Sequence, residues 1–316
     1  MIAKLLVVGA SAGGIPAVER LVADLPVDLG AAVLVTVHVP AWTQSVLPRI
    51  LDRAGSLPAS HAADGMPVRP NEILVAPPGR HLLVGDGLVR LSSGPKVNRQ
   101  RPSIDVMFAG AARWAGPGTV AVVLSGALDD GAVGAALVTR AGGQVFVQEP
   151  AEAQFKGMPR AALAAAPTAI AAPVGKLGTM VTAAIRARSV QGPRATQEEV
   201  PMNGMADSDD VFFLAGSESR LTRMVCPDCG GSLAQVDLPS ISWYRCHVGH
   251  QWSPGSLAAA QAEISEDKLW AAVAALEEQA AFSRHLAAED RTDDHLSAAE
   301  QATELAGLLR SRLNNS

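Results

Sequence analysis

The sequence predicts a doubly wound α/β fold, a mostly parallel sheet with helices on both faces. A small Cys/His module and a helical tail follow it. Three observations carry this. From residue 3 to about 188, short β-branched runs alternate with segments of helical spacing, the pattern of a sheet covered on both sides. The three cysteines fall in one short stretch, Cys226 to Cys246. Beyond Ser253 the chain is rich in Ala, Glu and Leu and reads as helix.

Taken in order, the strand-like runs are KLLVVG, AAVLVTVH, EILVA, GTVAVVLSG, GGQVFVQ and TAIAA. Each is short, apolar and β-branched, as buried parallel strands require. The helical segments PAVERLVADL, SIDVMFAGAARWA and DGAVGAALVTRA lie between them. HLLVGDGLVRL breaks the alternation, and its Gly-Asp-Gly reads as a hairpin turn. The stretch SVQGPRATQEEVPMNGMADSDD is polar and aperiodic, which marks a linker. The expected organisation is 1–189 catalytic domain, 190–221 linker, 222–253 Cys/His module and 254–316 helical tail. AAEDRTDDH should divide the tail into two helices.

With 48% of its 316 residues apolar and 18% charged, the chain has ample material for a core. Its N-terminal apolar run is too short for a secretory signal, and nothing approaches a membrane span, so a cytoplasmic protein with no membrane insertion is expected. Residues 1–189 carry 17 Lys/Arg against 12 Asp/Glu, and residues 190–316 carry 9 against 19. The basic front could meet the acidic rear within one chain.

VVGASAGG ends the first strand and opens a helix. Two chemistries use such a loop. A dinucleotide site would cradle phosphate there, but the short-chain dehydrogenases also need a Tyr four positions before a Lys. The single tyrosine, Tyr244, sits in the Cys/His segment with Val248 four positions on. The alternative is the G-x-S-x-G elbow of Gly9 to Gly13, which presents Ser11 as a nucleophile beside a helix N-terminus. A hydroxyl needs a base, and the base an orienting group. The second strand ends at His38, and VVLSGALDDGA places Asp129 and Asp130 at the same sheet edge. Either aspartate could instead cap the next helix. The order Ser…His…Asp differs from that of the α/β-hydrolases.

VVGASAGG, TVHVP, PPGRHLLV, KVNRQRPSIDVMF, VVLSGALDDGA and FKGMPRAAL occur in that order. Together they closely resemble the catalytic domain of the chemotaxis protein-glutamate methylesterases (CheB type) over about residues 3–188. The resemblance implies hydrolysis of glutamyl methyl esters on a methylated chemoreceptor or related signalling protein, releasing methanol, and deamidation of receptor glutamines. It implies Ser11 as nucleophile, His38 as general base and Asp130, directly before Gly131, as the group orienting His38, with no cofactor for catalysis. Ala12 replaces the family's usual Ser or Thr, and Gly126-Ala127-Leu128 its Gly-Met-Gly. A backbone N–H at Ala12 or Ala127 can still serve an oxyanion. Asn98 and Arg99 are expected near the cleft, holding an acidic receptor helix. The family's phosphoacceptor receiver module would precede the first strand, where this sequence has only Met1 to Ala3.

Cys226-Pro-Asp-Cys229 and Cys246-His-Val-Gly-His250 have zinc-ribbon spacing. Cys226, Cys229, Cys246 and His250 are the expected ligands of a structural Zn²⁺. His247, adjacent to Cys246, is excluded sterically. Arg220, Arg223 and Arg245 are opposed by Asp228 and Asp237, so no nucleic acid is expected. Leu269, Trp270, Val273, Leu276 and Phe282 give the tail an apolar face, for self-packing or for a partner. The competing function is a scaffold of little turnover that recruits a partner.

Overall fold

The computed structural model describes residues 4–42, 44–188, 219–290 and 293–314. In chain order the first part runs β1 (Leu5–Ala10), α1 (Ile15–Ala23), β2 (Ala32–Val37), α2 (Leu47–Ala54), β3 (Ala59–His61) and β4 (Ile73–Val75). The hairpin β5 (His81–Gly85) and β6 (Leu88–Ser92) follows, then α3 (Ile104–Ala115), β7 (Thr119–Val123), α4 (Ala132–Arg140), β8 (Gln144–Gln148), α5 (Gly157–Ala165), β9 (Ile170–Ala172) and α6 (Val174–Ala187). Seven strands form one parallel sheet in the order β3-β4-β2-β1-β7-β8-β9. The fold is therefore the doubly wound α/β sheet expected, and GDG turns the antiparallel β5–β6 hairpin.

Successive residues of a strand point to opposite faces, and both faces of this sheet are apolar. Leu5 and Val7 of β1 pack with Leu34 of β2 against Ile104, Phe108 and Met107 of α3 and against α4 and α5. Leu6 and Val8 pack with Val33 and Val35 against Leu21 of α1, Leu51 of α2 and Val181 of α6. That two-sided burial explains the unbroken apolar runs. The strand β3 escapes sequence reading because its three residues, Ala-Ser-His, carry no apolar signal.

The chain leaves β1 to one side for β2 and returns to the other for β7. The loops at the carboxyl ends of β1, β2 and β7 thus border the crevice where such sheets bind ligands.

The C-terminal module is a four-stranded antiparallel ribbon, β10 (Ser219–Val225), β11 (Ser232–Asp237), β12 (Ser242–Cys246) and β13 (Gln251–Trp252). Its Val236, Leu238 and Trp243 join the core under α3 to α5, and Ser240 Oγ donates to the Ala165 carbonyl. Most of the expected linker, 190–221, lies outside the described residues. Two compact units emerge, Met1–Ser256 and Leu257–Ser316. Helix α7 (Pro254–Asp290) carries the chain into the second unit, where α8 (Asp293–Asn314) returns antiparallel. Arg284 Nη1 donates to Thr303 Oγ1 and Arg310 pairs with Glu277 across that helical hairpin. No helix among the described residues is long and apolar enough to cross a membrane.

Candidate active site

Ser11 lies one residue past β1, and its N–H donates to the Ser125 carbonyl at 2.9 Å beyond β7. Gly13 takes a left-handed φ of +66°, which glycine adopts without strain. The loop after β7 closes over the serine. A Cβ added to Gly126 would stand 3.0 Å from Ser11 Cβ and 1.9 Å from Met158 Sδ. Only glycine lets that loop approach.

His38, just past β2, is anchored by its N–H to the Ala10 carbonyl at 3.2 Å. Its Nδ1 is 3.0 Å from Ser11 Oγ and its Nε2 is 2.7 Å from Asp130 Oδ2. The structure brings all three residues together from three strand ends. An ionised carboxylate only accepts. The imidazole hydrogen therefore sits on Nε2, leaving the Nδ1 lone pair facing the serine hydroxyl. This geometry can take a proton from Ser11.

Asp130 is buried, and the start of α3 is built around it. Its Oδ2 accepts the Ile104 N–H at 2.8 Å, and its Oδ1 accepts Ser103 Oγ–H at 2.9 Å, the Asp105 N–H at 3.2 Å and Asn98 Nδ2 at 3.1 Å. Burial opposes its charge. The hydrogen bond and charge of His38 and the Ile104 amide outweigh burial and hold the carboxyl well below the usual carboxylate range. The neighbouring Asp105 moves the other way. Burial, then the charge of Asp130, pushes its carboxyl well up, against the Gly134 N–H. The carboxyl held low is the one that faces His38 and the positive end of α3.

Asp129 does something else. Its side chain turns away from α4 to the start of α7, accepting the N–H groups of Gly255 at 2.6 Å and Ser256 at 2.9 Å. Capping is the role it has, but for a helix 124 residues on from Asp129 to its nearest donor, Ser253. Asn98 and Arg99 are both engaged within the chain itself. Asn98 is turned inward, 4% exposed, and Arg99 meets the chain's own Asp228 at 3.4 Å and the face of Trp252 at 5.8 Å. The basic front does contact the acidic rear at this point. Sequence reasoning missed Ser103 and Asp105; Pro-Ser-Ile-Asp ahead of an apolar helix was the available sign, and it reads as an ordinary helix start.

In the ribbon, the donor atoms of Cys226, Cys229, Cys246 and His250 all lie within 4.8 Å of one another. Cys246 Sγ is 3.6 Å from Cys229 Sγ and 3.6 Å from His250 Nδ1. Two glycine-bearing turns fold the pairs together: Gly230 N–H donates to the Cys226 carbonyl and Gly249 N–H to the Cys246 carbonyl. These four residues could hold a metal ion.

Residues 6–181 match the family described as CheB methylesterase. Protein-glutamate methylesterase/protein-glutamine glutaminase 4 of Anaeromyxobacter dehalogenans is 40% identical over 165 residues, 51% of this chain and 46% of that protein. The similarly named enzyme of Thiobacillus denitrificans is 38% identical over 179 residues, 55% of this chain and 50% of its own. The chain spans about half the length of the curated relatives it matches. The crystal structure of the Thermotoga maritima CheB methylesterase catalytic domain aligns with a TM-score of 0.55 at 28% identity, covering 58% of this chain and 99% of that one.

Proposed function

Because this chain belongs to the CheB methylesterase family, we propose that it is a serine hydrolase of glutamyl methyl esters on a methylated chemoreceptor or related signalling protein. The observation that carries the reading is the continuous hydrogen-bonded line Ser11 Oγ–His38 Nδ1–His38 Nε2–Asp130 Oδ2, at 3.0 and 2.7 Å. Ser11 Oγ attacks the ester carbonyl as its proton passes to His38 Nδ1. Asp130 stabilises the imidazolium, which then protonates the departing methoxide to give methanol. Water, deprotonated by the same Nδ1, releases glutamate and frees Ser11. Attack on a glutamine amide by the same route releases ammonia, in keeping with the relatives' second name. The oxyanion falls to the backbone N–H groups of Ala12 and Ala127. Neither makes a hydrogen bond among the described residues, so both are free to donate.

We assign the ribbon cluster to structural Zn²⁺. A tetrahedral zinc shell with bonds of about 2.3 Å to S and 2.0 Å to N sets S···S near 3.8 Å and S···N near 3.5 Å. The 3.6 Å separations support that shell. Four protein ligands fill it, so zinc supplies folding energy and no catalytic step runs through it.

Methanol release from a methylated receptor tests the function. Wild type should release it, and Ser11→Ala should be slower by at least ~10³-fold. Equal release from both would overturn the serine mechanism.

A further inference from the structure

The side-chain amide of Asn98 is used at both ends. Its Nδ2 donates to Asp130 Oδ1 at 3.1 Å and to Asp105 Oδ2 at 2.9 Å. Its Oδ1 accepts the Ser253 N–H at 2.7 Å, and its own N–H donates to the Gln251 carbonyl at 2.8 Å. One end thus touches the carboxylate that orients His38, and the other touches the segment directly after His250. Asp129 makes a parallel connection. Ser253 Oγ lies 2.6 Å from its Oδ1 and Ser256 Oγ 2.5 Å from the same atom. Trp252, 1% exposed, lies between these contacts in sequence and under the Arg99 guanidinium.

We propose that the metal-bound ribbon is a clasp on the catalytic machinery, with Asn98 as the positioning residue through which it acts. The inference rests on the serine-hydrolase reading above. The two turns that carry Cys226, Cys229, Cys246 and His250 are held together by the metal these side chains would bind. Bound Zn²⁺ fixes Cys246 and His250, and the three residues after His250 carry Gln251 and Ser253 to Asn98. With its carbonyl oxygen and its backbone N–H both held, the Asn98 amide has one orientation, Nδ2 toward Asp130. Release of the metal frees residues 251–253. The Asn98 amide can then rotate, and Asp130 loses a fixed donor and with it a fixed position against His38 Nε2. The cysteines and histidine of the ribbon thereby set the turnover of a site that contains no metal.

The full chain, loaded with Zn²⁺, tests this with an alkyl fluorophosphonate, which reacts covalently with an activated serine and is read by mass. Backbone hydrogen exchange at Asn98 and Ser253 gives a second readout independent of activity. Chelation should slow maximal labelling of Ser11 by about 10-fold, the effect of one lost hydrogen bond to a charged group, and deprotect both amides; added Zn²⁺ should restore both. Asn98→Ala should lower the maximal labelling rate with the half-saturating probe concentration unchanged. Ser253→Pro, which removes both the N–H and the hydroxyl that reach Asn98 Oδ1, should retain one zinc per chain, label slowly and gain nothing from added Zn²⁺. If chelation unfolds the catalytic domain, that variant decides alone. Labelling at the wild-type rate in zinc-loaded Ser253→Pro, or after zinc release from a folded chain, overturns the clasp and leaves the hydrolase reading standing. A folded, zinc-loaded wild type that never labels at Ser11 overturns the hydrolase reading and the clasp together.

Discussion

Asp130 gathers five hydrogen bonds, from His38, Asn98, Ser103, Ile104 and Asp105. Three come from the main chain or side chains at the start of α3, so the carboxylate is fixed before substrate arrives. Asp130→Asn keeps the shape but presents an NH₂ or an uncharged oxygen to His38. Steady-state ester hydrolysis should show kcat lower by about 10⁴-fold, the cost of a wrongly set tautomer. His81 illustrates a different use of burial. Its Nε2–H donates to the Pro95 carbonyl at 3.0 Å and its Nδ1 accepts the Ser103 N–H at 3.3 Å. Burial, against the pull of the Pro95 carbonyl, pushes the imidazole down to about 4. The unfolded imidazole titrates near 6.5, so between those values the unfolded state binds the extra proton. Stability from His81 is full above pH ~6.5 and falls by about 3 kcal/mol as the pH drops toward ~4. Urea midpoints measured across that window should fall more steeply for wild type than for His81→Gln. The contribution of Asp130, whose carboxyl is held low, is lost only at still lower pH.

Among elements, the loop after β7 lies against the segment that leads into α5, with Gly126 N–H donating to the Phe155 carbonyl and Met158 N–H to the Gly126 carbonyl. Gly126 leaves room for Met158 at the second residue of α5 and for Ser11. Gly126→Ala should therefore lower kcat by more than 10-fold and cost about 1–3 kcal/mol of stability by overpacking. Adding Met158→Ala to that variant should recover part of the activity, because the worst overlap is with the flexible sulfur. Esterase rates and thermal unfolding of the two variants check this. The strands and major helices were legible in the sequence because two-sided burial leaves continuous apolar runs, as in Leu5–Ala10 and Thr119–Val123. The strand β3 was not, since a polar edge strand is specified by its neighbour β4 and not by its own residues.

At the scale of the molecule, the ribbon is joined to the α/β unit by apolar side chains and by a buried polar network. Trp243 and Val236 supply the first, Asn98, Asp129 and Ser253 the second. Zinc analysis of the purified chain should find one ion per molecule, lost in Cys246→Ser. That variant should also lose the ribbon's cooperative unfolding, because binding of this kind contributes roughly 10–16 kcal/mol. Metal content and hydrogen exchange of residues 219–253 measure both.

The sequence by itself determined the α/β class, the residues standing at three strand ends, and the spacing of four side chains that could hold a metal ion. Each is local, written in periodicity or in short intervals along the chain. Only the tertiary structure decided that Asn98 faces inward, that Asp129 serves a helix far along the chain, and that the neighbouring carboxyls of Asp105 and Asp130 are pushed in opposite directions. Those outcomes depend on side chains as much as 155 residues apart meeting within hydrogen-bond reach. Segments far apart in the chain must be packed together in register, and no pattern within any one of them encodes that register.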